Sequence, residues 1–200
     1  MKKTILLLLS SMVCANTNLG VVVWNAWHPK DNGKVAVDGD LLVSGKENYF
    51  GGALRLPFSF LMGSSLELGM SFLPNQTWTY GANSISVSDR KRYSLNTVYP
   101  VSDSISAMIG AYVQKNSLSC TSGCNFIEPK GLMGLVKGNV GWQAGLQWLE
   151  PVMSNLESGI RVLYTFGRDH SYCLGAQGCQ TSFVHHDKRL MVQAVAMAGF

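Results

Sequence analysis

The sequence is short of charge. Only 14% of its 200 residues are Asp, Glu, Lys or Arg, against about 25% in ordinary soluble domains. A fully wetted surface is hard to build from that supply. Beyond the first fifteen residues no apolar run approaches the ~18 residues of a spanning helix, so helical membrane insertion is excluded. Apolar recurrence at three- and four-residue intervals is also missing, so no amphipathic helix is read. The chain lacks P-loop, G-x-G-x-x-G, H-E-x-x-H and G-x-S-x-G patterns, each tied to a specific phosphate, dinucleotide, zinc or serine chemistry. A net charge of +4 gives no electrostatic case for nucleic acid. What is plentiful is hydrophobic residues, at 46%, and glycine, with 21 copies. That balance excludes intrinsic disorder.

Part of the hydrophobicity sits at the start. Lys2 and Lys3 precede an apolar run over 5–9, and Val13-Cys14-Ala15 places small residues before a cleavage point. Residues 1–15 therefore read as a signal peptide, and residues 16–200 as one mature domain. Lipidation at Cys14 is the other reading of this stretch, and Val13 is a poor residue to precede it. Cleavage removes two lysines and no acid, leaving +2, and removes Cys14. Four cysteines remain, Cys120, Cys124, Cys173 and Cys179, and an even count in an exported chain points to disulfides.

The mature chain alternates apolar and polar residues in segments of about ten. The clearest are 49–57, 64–72, 139–148 and 190–200; weaker ones are 91–99, 104–114 and 157–166, and 17–28 is apolar on both parities. These predict eight strands. Short links at 58–63, 100–103 and 151–155 alternate with long connections at 29–47, 73–90, 115–138 and 167–188. The prolines fall at strand ends or in connections, where no ladder N–H is needed.

Two architectures accommodate such strands. A soluble sandwich or lipocalin-like barrel turns its apolar face inward, whereas a membrane barrel turns it outward. Here the non-apolar parity is Gly, Ser, Gln and Asn with few charges, which suits a narrow lumen filled by side chains. Arg55 and Glu67 are equidistant from position 61, so a hairpin centred there sets them opposite each other. Glu157 and Arg161 share one face of one strand. We read these as lumenal charge pairs, since confined charges need partners; an exposed cross-strand pair is the alternative. Trp24, Phe50, Phe72, Tyr93, Tyr99, Trp142, Trp148, Tyr164, Phe166 and Phe200 share the parity assigned to lipid. The expected fold is therefore an all-β, eight-stranded antiparallel up-and-down transmembrane barrel.

With its leader, eight alternating strands, alternating loop lengths and terminal Phe200, the sequence resembles the small bacterial outer-membrane β-barrels of the OmpA-barrel, OmpX and OmpW type. The resemblance covers the whole mature chain and is one of pattern, not of a diagnostic motif. It implies an outer-membrane location, contact with outer-membrane lipid and lipopolysaccharide, and recognition of the 190–200 strand with Phe200 by the barrel-assembly machinery. It also implies periplasmic termini and external long loops, and it permits passage of small hydrophobic molecules.

Four cysteines allow three pairings. We take the local ones, Cys120–Cys124 and Cys173–Cys179, each closing a short Gly-containing turn; loop-crossing pairs stay open. His28, His170, His185 and His186 have no ligand spacing and are read as polar loop residues, so neither metal nor cofactor is expected. His170-Ser171 beside Asp169 offers hydrolase residue types without the His-x-Ser-Asn arrangement of outer-membrane deacylases, so no enzyme is expected. The resulting expectation is a monomeric barrel with a structural or adhesin-like surface role toward a host or surface ligand. A narrow channel for small or hydrophobic solutes and a lipid A-modifying enzyme are the alternatives, with a soluble periplasmic β protein behind them.

Overall fold

A computed structural model describes residues 19–27, 34–37, 40–43, 48–58, 63–80, 83–121, 124–127, 139–166, 170–174, 181–185 and 188–200. The signal-peptide reading of 1–15 lies outside them. In chain order the strands are β1 (Gly20–Trp27), β2 (Lys34–Val37), β3 (Asp40–Val43), β4 (Asn48–Pro57), β5 (Ser65–Phe72), β6 (Gln76–Tyr80) and β7 (Asn83–Pro100). They continue with β8 (Ile105–Cys120), β9 (Cys124–Ile127), β10 (Asn139–Met153), β11 (Leu156–Phe166), β12 (His170–Leu174), β13 (Thr181–His185) and β14 (Lys188–Gly199).

Eight strands close a barrel. Around the ring the order is β1, β4, β5, β7, β8, β10, β11, β14, and β14 returns to β1. Every neighbouring pair is antiparallel, including the β5–β7 pair that closes the cylinder. Closure leaves no edge of unpaired N–H and C=O groups, the condition that hydrocarbon imposes on any spanning structure. The short links and both termini of the described chain lie at one end of the barrel. Phe200 N–H donates to Leu19 O at 2.9 Å there.

The opposite end differs from the expected loops. Instead of long irregular connections, β2, β3, β9, β12 and β13 form a second antiparallel sheet in the order β3-β2-β13-β12-β9. β7 and β8 also outrun the predicted segments, and β6 pairs with the first residues of β7.

The polarity of the wall is inside out. Phe50, Leu54, Leu68, Leu95, Ile109, Trp142, Leu146 and Phe166 point outward and are exposed, while Glu67, Arg92, Asn96, Gln143, Gln147, Arg161, Thr165 and Gln193 point inward and are buried. A water-soluble barrel of this composition would expose apolar surface far beyond the few hundred Å² that monomers tolerate. The outward band fits the apolar belt, about 25 Å tall, of a transmembrane barrel.

One aromatic departs from its assigned parity. Trp24 points into the lumen and is only 6% exposed, whereas Trp142 is 62% exposed. Because β1 is apolar on both faces, alternation could not orient it; the space available does. Gly51 lies directly opposite Trp24, and a Cβ there would meet the indole Cε2 at 2.5 Å. The glycine makes room for the ring.

Candidate functional site

The interior is organised around one carboxylate. Glu67 of β5 is fully buried and lies directly opposite Arg55 of β4 in the hairpin register. The Arg55 Nη2 donates to Glu67 Oε2 at 2.7 Å. On the other side Arg161 of β11 forms a two-pronged pair, with Nη1 to Oε1 at 2.9 Å and Nη2 to Oε2 at 2.8 Å. Such fork geometry is the strong form of an Arg–carboxylate contact. β5 and β11 are four places apart around the eight-membered ring. The bridge therefore spans the full width of the lumen.

Gln147 of β10 binds the cluster together. Its Oε1 accepts from Arg55 Nη2 at 3.0 Å and from Arg161 Nη2 at 2.7 Å and Nε at 3.0 Å. Gln193 of β14 accepts from Arg161 Nη1 at 3.4 Å. The Arg161 guanidinium also lies 5.4 Å from the Trp24 ring, a cation–π distance. Towards the long-connection end, Arg92 donates to Gln114 Oε1 at 2.9 Å and stacks 4.2 Å from the Tyr112 ring. Gln143 donates to Asn96 Oδ1 at 2.6 Å. That bond passes over Gly110, which is register partner to both residues and carries no side chain to block it. Tyr49 O–H donates to Met191 Sδ at 2.7 Å.

Arg55, Glu67 and Arg161 are thus brought together, and Glu157 is not. On a strand, residues four apart are separated by about 13 Å, so sharing a face with Arg161 does not put Glu157 within ion-pair reach. Glu157 sits near the short-turn end, paired in register with Pro151 and Met197. Arg161 takes its anion from across the barrel instead. Alternation marks which residues face inward, but not which ones meet across a closed ring. Gln147, Gln193, Asn96 and Gln143 were legible only as polar inward positions.

The space left beside the bridge is small. A lumenal cavity lined by Trp24, Tyr49, Arg92, Asn96, Gln143 and Arg161, among others, measures about 10 Å³, room for roughly one water molecule. Among the described residues no group of His, Cys, Asp and Glu could hold a metal ion. Cys120 is disulfide-bonded; its partner, and the side chains of Cys124, Cys173 and Cys179, lie outside the described residues. So do those of His28, His170, Ser171, His185 and His186. Phe200 is described and is exposed at the short-turn end.

A closed eight-stranded antiparallel ring, apolar outside and polar within, defines the class. The chain has the fold of the small bacterial outer-membrane β-barrels, a multi-pass barrel of the outer-membrane type. Its sequence matches no protein-family model and no curated protein. Among solved structures it is similar to the outer membrane protein OprG from Pseudomonas aeruginosa, with TM-score 0.56, 11% identity, and coverage of 92% of this chain and 96% of that one. Ail from Yersinia pestis, determined in a phospholipid bilayer nanodisc, gives TM-score 0.45 at 14% identity, covering 92% of this chain and 100% of that one.

Proposed function

We propose that this chain is a closed, non-conducting barrel of the outer membrane whose role is structural or adhesive and is exercised at its surfaces. The filled lumen carries the reading. The Arg55–Glu67–Arg161 bridge spans the bore, and the neighbouring cavity holds about one water. A general diffusion pore needs a continuous aqueous path, which wider barrels provide. Work is therefore assigned to the outer wall and to the sheet built from the long connections, the surface available to a host or surface ligand. The barrel acts as a monomer in contact with outer-membrane lipid and lipopolysaccharide, and its β14 strand with Phe200 is the element offered to the assembly machinery.

Planar-bilayer recording tests this directly. The purified full chain is expected to give no steady current. A persistent open state would overturn the closed-barrel reading in favour of a narrow solute channel. The role is also proposed to be non-enzymatic. Mass spectra of lipid A from cells with and without the protein should be identical, and a change abolished by Ser171→Ala would establish a lipid-modifying enzyme instead.

A further inference from the structure

The outer wall carries an arrangement that protein contacts alone do not explain. Lys91 of β7 and Lys115 of β8 are direct register partners, and both are exposed on the outward face. Like charges directly opposite each other on a sheet destabilise it. No carboxylate lies within ion-pair distance of either ammonium among the described residues. The Lys115 Nζ lies 5.8 Å from the ring of Tyr93, also on the outward face.

The surroundings are graded along the barrel axis. Below the lysines the outward face of these strands is apolar, with Tyr93, Leu95, Ile109 and Tyr99. Just above them the register shifts: Asp89 and Arg90 stand where β8 offers one residue, and Asp89 adopts φ 49°. The bulge reverses the parity of β7, as bulges do when they re-aim side chains. Val87 consequently turns inward and is buried, while Ser88 becomes the partner of Ser117 and Ser86 that of Ser119. The wall therefore passes from apolar to dicationic to hydroxyl-bearing within a few residues, with the exposed Asp89 of the bulge as the one carboxylate of β7 between the lysine pair and the serines.

Depth identifies the boundary. Lys91 is eight residues beyond Tyr99, and Lys115 ten beyond Ile105. At the strand rise and a tilt near 40° these are axial distances of about 21 and 26 Å. The pair thus lies at the far edge of an apolar belt about 25 Å tall. A ligand here lies against the wall where acyl chains give way to headgroups, which selects a lipid-borne anion over a free one.

We propose that Lys91 and Lys115, with the hydroxyls of Ser88 and Ser117, form a binding site for the phosphate of a lipid headgroup in the outer leaflet. This rests on the reading that the barrel spans the outer membrane with its long connections outward. The test uses the full chain in phosphatidylcholine nanodiscs doped with bisphosphorylated lipid A or with its dephosphorylated form. Co-purifying lipid is quantified by native mass spectrometry, and barrel integrity is read in parallel from heat-dependent gel mobility. The expected result is at least a tenfold preference for the phosphorylated lipid, falling to near parity in Lys91→Gln/Lys115→Gln and retained in Lys91→Arg/Lys115→Arg. An intact barrel with no preference, or a preference that survives the double glutamine variant, overturns the site. Inorganic phosphate binding equally well in neutral nanodiscs would assign the pair to a free anion and overturn the lipid source. A wild-type chain with no barrel mobility shift would instead refute the underlying membrane reading.

Discussion

Glu67→Gln isolates the part of the structure that closes the lumen. The substitution keeps the size and one acceptor oxygen but removes the anion that faces two guanidiniums. Arg161 has a side-chain exposure of 1% and Arg55 of 11%, so water cannot take over the lost role at Arg161. Removing one partner of a buried ion pair costs about 3–5 kcal/mol, chiefly because a charge is left uncompensated. Here two like charges remain, bridged only by Gln147, and the upper part of that range is expected. With a urea dependence of about 2 kcal/mol/M, the unfolding midpoint of barrels in phospholipid vesicles should fall by about 2 M. Arg161→Met alone leaves Glu67 with Arg55 and should cost less. In the double variant the two losses should overlap, giving a coupling of about 1–3 kcal/mol, as expected for residues in one network. A Glu67→Gln cost under about 1 kcal/mol, or additive single costs, would refute the bridge as the organiser of the interior.

Other consequences follow from the polarity and packing of the wall. Ile109 is 63% exposed and lies mid-belt, so Ile109→Lys should cost about 2–4 kcal/mol in a bilayer, whereas on a water-facing sheet it would fall within about 0.5 kcal/mol of neutral. Equilibrium unfolding in vesicles decides between them. Gly51→Ala places a methyl against the Trp24 indole and should destabilise by about 1–3 kcal/mol, as overpacking does. Adding Trp24→Leu should recover only part of that loss in the same assay, because the new methyl also meets the Met70 backbone carbonyl.

The strand faces were readable because hydrocarbon demands apolar residues at every second position. Trp142, Leu146 and Trp148 alternate with Gln143 and Gln147 in β10 for that reason. Where the demand lapses, the reading fades. The upper reaches of β7 and β8 carry Ser84, Ser86, Ser88, Ser117 and Ser119, a hydroxyl-rich stretch that reads as loop although it pairs as sheet. β1 offers Val21, Val22, Val23 and Trp24 in succession, so parity gives no direction there, and Trp24 faces the lumen instead of lipid. The Arg55–Glu67 alignment followed from hairpin symmetry, a local property. The Glu67–Arg161 contact depends on ring closure across four strands, which no local pattern encodes.

The inside-out wall is tested most directly by brominated-lipid quenching of single-tryptophan variants, with the other four tryptophans replaced by phenylalanine. In bilayers of chain-brominated phosphatidylcholine, fluorescence from Trp142 or Trp148 alone should be strongly quenched. Trp24 alone, enclosed by the lumen, should be nearly unaffected. Strong quenching of Trp24 with Trp142 and Trp148 spared would mean that the apolar face does not meet lipid, and would contradict the account.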